Sequence, residues 1–192
     1  PHIAALMTME QPALRALAVQ ILTAYKLPVS PDIAVAAVLE SAAPAAVRVE
    51  ALRLLADQHA TSAEFTRTLE TLATGKATPE SLRIAALELM VVAKSDAAVP
   101  HAAKLLSSGT TFEKQKAPAV LAMAKSDTAD AILIKEMEQL LAGKLPANRM
   151  LDALDAVKSR SADVPLLAEK LAAFEAPRAS LAGTPAAFTE CL

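Results

Sequence analysis

Gly75, Gly109 and Gly143 are evenly spaced, and each has a leucine three positions before it (Leu72, Leu106, Leu140). A fixed period of about 34 residues marks an array of small supersecondary units, none of which can bury its apolar face alone. The remaining glycine, Gly183, follows Leu181-Ala182 as Gly143 follows Leu141-Ala142. A glycine just past a leucine-rich run reads as a left-handed C-terminal helix cap, since only glycine takes a positive φ without strain. Start signals follow each one. Thr78-Pro79 reads as N-cap then first helical residue, Thr110-Thr111 offers an N-cap, and Pro146 and Thr184-Pro185 repeat the proline signal.

Two further landmarks lie between the glycines. Ala93-Lys94-Ser95-Asp96 recurs as Ala124-Lys125-Ser126-Asp127, with Ala156-Val157-Lys158-Ser159 as a weaker copy. Each places a lysine in the last turn of one helix and a cap residue before the next. Leu14 to Leu22 matches Val47 to Leu55 and Leu82 to Met90, with small residues Ala18, Ala51 and Ala86 in register. Degenerate copies begin at Lys116 and Arg149. The spacing predicts five helix pairs. First helices fall near 10–26, 44–58, 79–94, 111–125 and 146–159; second helices fall near 31–41, 62–74, 96–108, 128–142 and 162–175. Residues 2–8 read as the tail of an earlier helix, 176–192 as a linker and the start of a further element near 185–191. Pro118 falls inside a first helix, where it should kink it or shift its start.

Composition agrees. Of 192 residues, 45 are alanine and 28 leucine, while aromatics are 3% and tryptophan is absent. Alanine and leucine favour helices over strands, so the expected class is all-α. Stacked pairs of this kind give a right-handed α-solenoid in one domain covering 1–192. The tryptophan, glycine and tyrosine landmarks of tetratricopeptide repeats and the Thr-Pro-Leu-His of ankyrin repeats are missing. What remains resembles HEAT-like repeats of the short, phycobilin-lyase type, with Arg15, Arg48 and Arg83 at the recurring basic position that such repeats use between units. Expected core positions are Leu17, Ile21, Ala51, Leu54, Leu55, Ala86, Leu89, Leu106, Leu121, Leu140, Leu154 and Leu171.

The segment Val47 to Gln58 and the stretch Met150 to Leu192 are similar to the helical-repeat region of large exported bacterial proteins of the membrane-bound dehydrogenase, haem-binding type. The resemblance implies a propeller domain before these repeats and a c-type cytochrome domain after them. It also implies an exported or periplasmic location. On that reading the chain, which starts at Pro1 without an initiator methionine, is a piece of a longer protein. Cys191 has no second cysteine and no following histidine, so it is not a haem attachment site.

The rest of the sequence carries little chemistry. A net charge of −2 gives no field to hold a nucleic-acid backbone, and no apolar run nears the 18 or so residues that span a bilayer. His2, His59 and His101 lack metal-ligand spacing, and a lone Cys191 reads as a bland thiol. The carboxylate pairs Asp152 with Asp155 and Glu136 with Glu138 read as solvated, the first beside Lys158. No cofactor and no small-molecule substrate are expected. At the period of the glycines, Arg67, His101, Lys135 and Glu169 fall in register, as do Glu70, Lys104 and Glu138. These rows are either a contact face for a protein partner or neighbouring domain, or a solvated face with weak local ion pairs. Ile33 to Leu39 has no polar residue, so that helix should be buried on more than one side or form a docking patch. The expected function is a non-catalytic scaffold or protein-interaction module, in the specific version a spacer between propeller and cytochrome. The alternative is a ligand-binding or catalytic HEAT-like protein, resembling bilin lyases or DNA glycosylases.

Overall fold

The computed structural model describes residues 11–181, so His2, Gly183, Cys191 and the elements expected at 2–8 and 185–191 lie outside the described residues. Within that span the chain is helical, with no strand among the described residues. Ten α-helices follow one another there: α1 (Pro12–Ala24), α2 (Pro31–Leu39), α3 (Ala45–His59), α4 (Ala63–Thr74), α5 (Glu80–Val92), α6 (Ala98–Ser108), α7 (Thr111–Ala124), α8 (Asp127–Leu141), α9 (Met150–Ser161) and α10 (Pro165–Leu181). A 3₁₀ turn (Ala147–Arg149) precedes α9. These helices fall near the ten expected positions, with ends shifted by a few residues. The largest shift is at α10, which runs on to Leu181 through positions expected to begin a linker.

The chain divides into two compact units, residues 1–101 and 102–192. In the first, α1, α3 and α5 pack in sequence, α2 packs on α3 and α4, and α4 packs on α5. In the second, α7 packs on α9, α8 on α10, and α8 and α10 both on α9. Within each unit, then, a first helix lies against the next first helix and a second helix against the next second helix.

Seven of the expected core residues are buried: Ala51, Leu54, Leu55, Ala86, Leu106, Leu121 and Leu140. Ile21, Leu89, Leu154 and Leu171 are only half-buried, and Leu17 is 48% exposed. The error is one of rotation. In α1 the buried set is Ala18, Val19 and Leu22; in α9 it is Ala153, Ala156 and Val157. Large side chains do not mark the inner face where alanines let two helix backbones approach, so the stripe is turned by one residue, forward from Leu17 to Ala18 in α1 and back from Leu154 to Ala153 in α9. The apolar run Ile33 to Leu39 of α2 is likewise buried on one side. Ala34, Ala37 and Val38 are covered, Ile33 and Val35 are half-buried, Ala36 is exposed and Leu39 is 44% exposed.

Helix ends differ from the glycine-cap expectation. Of the described glycines only Gly143 is left-handed (φ 67°). Gly75 is extended at the end of α4, and it needs the missing side chain for another reason: a Cβ there would meet Thr78 Oγ1 at 2.5 Å and the Thr71 carbonyl at 2.8 Å. At Gly109 a Cβ would meet the Leu105 carbonyl at 2.5 Å and Glu113 Oε2 at 2.9 Å. The left-handed positions at the other turns belong to lysines, Lys26, Lys94 and Lys125, which therefore stand past the helix end and not in its last turn. Around Lys26, Lys94 and Gly143 the next residue's N–H closes back on the helix, Leu27 to the Leu22 carbonyl (3.0 Å), Ser95 to Met90 (2.9 Å) and Lys144 to Gln139 (2.8 Å). This is the Schellman closure. Lys158 of the weaker copy remains inside α9.

Helix starts follow the sequence more closely. Thr110 and Glu113 form a reciprocal capping box on α7, and Ser62 and Ser126 cap α4 and α8. Pro79 and Pro146 sit one place earlier than expected, as extended N-cap residues. Pro118 is buried in the middle of α7, which continues through it and neither stops nor starts late.

Two glycine substitutions separate these roles. Gly109→Ala must displace the buried Glu113 carboxylate that closes the cap, and should cost about 1–3 kcal/mol. Gly143→Ala meets open space but an unfavourable φ, and should cost about 1–2 kcal/mol. Urea unfolding of each variant measures both. Equal stability of Gly109→Ala and the parent would show that the close approach is not real.

Candidate functional site

Polar groups buried between the helices come first, because they fix what faces outward. Arg15, Arg48 and Arg83 are each the fourth residue of a first helix (α1, α3, α5) and each reaches the end of a second helix. Arg48 Nε donates to the Val38 carbonyl at 2.7 Å. Arg83 donates to the carbonyls of Gly75 (2.7 Å) and Thr78 (3.1 Å). Arg15 pairs with Glu40 at 2.9 Å. Carbonyls at a helix C-terminus lack intrahelical donors, and a guanidinium supplies them. Burial pulls the Arg48 guanidinium below its ordinary value, with Glu40 acting the other way.

In the second unit arginines at other positions pair with buried carboxylates. Arg149 pairs with the buried Glu136. Arg160 holds Asp130 through two hydrogen bonds, of 2.9 and 2.8 Å, and also donates to Asp163 at 2.6 Å. Hydrogen bonding to Asp130 raises Arg160 above the usual guanidinium range, against desolvation, and the charges of Asp130 and Asp163 add to the rise. Sequence spacing missed these pairs, because Asp130 and Arg160 are far apart in the chain and resemble any other exposed helix charges. Glu136 is thus desolvated, not solvated as expected. Asp152 lies 4.0 Å from Lys116, and Lys158 pairs with Glu175 at 3.6 Å in place of the expected aspartates.

The expected contact rows are carried on α4, α6, α8 and α10. In the first unit, Arg67 and Glu70 are exposed on one face of α4, and Arg67 pairs with Glu64 at 3.2 Å. His101, in α6, is half-buried. In the second unit Lys104, Lys135, Glu138 and Glu169 are exposed, and Glu138 pairs with Lys170 of α10 at 2.9 Å. These are the local ion pairs of a solvated face, and Glu138 with Lys170 ties one second helix to the next. His59 is structural: its Nε2 lies 2.7 Å from the Val29 carbonyl and ties α3 to the loop after α1.

Each unit also has an open groove between consecutive first helices. One, of about 530 Å³, lies between α1 and α3 and is lined by Thr23, Lys26, Pro28, Leu54, Asp57 and Gln58. The other, of about 500 Å³, lies between α7 and α9 with Lys116, Met123, Lys125, Asp152, Asp155 and Ser159 in its walls. In the second, the lysines are already engaged within the unit, Lys116 with Asp152 and Lys125 with Asp163, each at 4.0 Å. Among the described residues there is no group of three His, Cys, Asp or Glu side chains able to hold a metal ion, and no helix is long and apolar enough to cross a membrane. No protein-family model, curated protein or solved structure matches the chain.

The buried and exposed ion pairs should separate sharply on mutation. Asp130→Asn leaves the buried Arg160 with only the exposed Asp163 as counter-charge and should cost about 3 kcal/mol. Glu64→Gln breaks an exposed pair and should cost under about 1 kcal/mol. Chemical denaturation of the two variants gives the comparison. Similar losses in both would mean that Arg160 is solvated.

Proposed function

We infer that this chain is a non-catalytic helical-repeat scaffold, a HEAT-like α-solenoid module that holds a protein partner or neighbouring domains of its own chain in position. The observation that carries the reading is that within each unit first helices pack on first helices and second on second, with, in the first unit, an arginine at the fourth position of successive first helices reaching the end of a second helix. A surface of mixed charge, with its strongest ion pairs turned inward, suits a spacer better than a nucleic-acid groove. The specific version is a spacer between a dehydrogenase-like propeller and a c-type cytochrome domain in an exported protein. In that version the candidate contact residues Arg67, His101, Lys135, Glu70, Lys104 and Glu138 face a partner or neighbouring domain.

Two experiments test this. Deleting residues 144–192 removes α9 and α10. In an array stabilised by nearest neighbours the rest keeps its helical ellipticity per residue and unfolds cooperatively at a lower temperature. Loss of helix throughout would overturn the repeat reading. Sequencing the parent gene beyond both ends tests the spacer version. A Cys-x-x-Cys-His motif downstream together with a propeller-like region upstream supports it, and their absence overturns that version while leaving the scaffold intact.

A further inference from the structure

The groove between α1 and α3 differs from its counterpart between α7 and α9 in one respect: its charges are unpaired. Lys26 and Asp57 both line it, both are exposed, and among the described residues neither forms an ion pair, with the other or with a third group. In the other groove each lysine has an aspartate at 4.0 Å. Thr23, which also lines the α1–α3 groove, carries an unanswered hydroxyl beneath its wall. Thr23 Oγ1 is buried and has no hydrogen-bond partner, although buried polar atoms are nearly always paired. Leu54 and Asp57 are three apart on one face of α3, and Thr23, near the end of α1, and Lys26, in the left-handed turn after it, line the facing wall.

The walls are also fixed in advance. Gln58 accepts from the Val29 N–H at 2.9 Å and donates to the Leu27 carbonyl at 2.8 Å. His59 ties the Val29 carbonyl at 2.7 Å. The loop that carries Lys26 and Pro28 is therefore stitched to α3 at three points, and its backbone is closed on α1 by the Leu27 to Leu22 hydrogen bond. A site whose walls are ordered before binding loses less entropy when it fills. Its volume lies in the range of small-molecule sites.

We propose that this groove binds a small zwitterion, a free α-amino acid with an apolar side chain. Its carboxylate sits against Lys26 Nζ and accepts from Thr23 Oγ1, which a change of χ1 rotamer turns from its unpaired position toward the groove. Its ammonium faces the Asp57 carboxylate, and its side chain lies on Pro28 and Leu54. The site adds a small-molecule ligand to a chain whose sequence gives no reason to expect one. It does not depend on the scaffold reading, because every wall belongs to the first unit.

The test is the heat-denaturation midpoint of the full chain with L-leucine at about 10 mM. Isopentylamine and 4-methylpentanoate serve as probes that each carry only one of the two charges. Leucine should raise the midpoint by about 2–4 °C, and neither single-charge probe should match it. Lys26→Met and Asp57→Asn, both at exposed positions, should each abolish the rise. Thr23→Val should raise the midpoint of the unliganded protein, since it removes a buried unpaired hydroxyl, and should shrink the leucine effect. No rise with leucine, an equal rise with either single-charge probe, or a rise that survives both charge substitutions overturns the proposal.

Discussion

Every short helix leaves carbonyls with no donor at its C-terminus and N–H groups with no acceptor at its start. In an alanine-rich chain few side chains can reach these groups, and the fold depends on how the few are placed. Arg48 and Arg83 do it from the neighbouring pair, by donating to carbonyls at or just beyond the ends of α2 and α4. Lys26, Lys94 and Gly143 do it within the helix, by turning left-handed so that the following N–H folds back. Thr110 with Glu113, and the serines Ser62 and Ser126, do it at the starts. The arginines thereby tie helix ends to specific neighbours, which sets the stacking of the first pairs.

The two units solve the packing problem with different chemistry. The first relies on guanidinium-to-carbonyl contacts and on the Gln58 and His59 stitches to the loop after α1. The second buries carboxylates, Asp130 and Glu136, each against an arginine. A buried ion pair gains less net stability than its geometry suggests, because both ions lose water, but removing one member leaves an uncompensated charge. The exposed faces are left with weak pairs such as Arg67 with Glu64.

The helices themselves are legible in the sequence to within a few residues, because period, proline and cap residues are local signals. Thr110, Ser62 and Ser126 can be read from their own neighbours. The choice of inner face cannot. Leu17 lies outside and Ala18 inside, since the decision rests on which side a neighbouring helix can approach, and alanine permits approach without announcing it. Position alone makes every glycine look like a left-handed cap. At Gly75 and Gly109 the true constraint is Thr78 and Glu113 from the following turn, which only folding brings near.

What the sequence by itself determined is the class and the approximate place of each helix, for reasons of backbone propensity and capping that act over a few residues at a time. The tertiary structure decided which charges are paired inside and which are left outside. Asp130 meets Arg160 from a later helix, Lys125 meets Asp163, and Lys26 and Asp57 share a groove without meeting an ionic partner among the described residues. Charge pairing across a helix stack depends on rotation and register between helices, and these are set by the summed packing of both surfaces, which no local signal encodes.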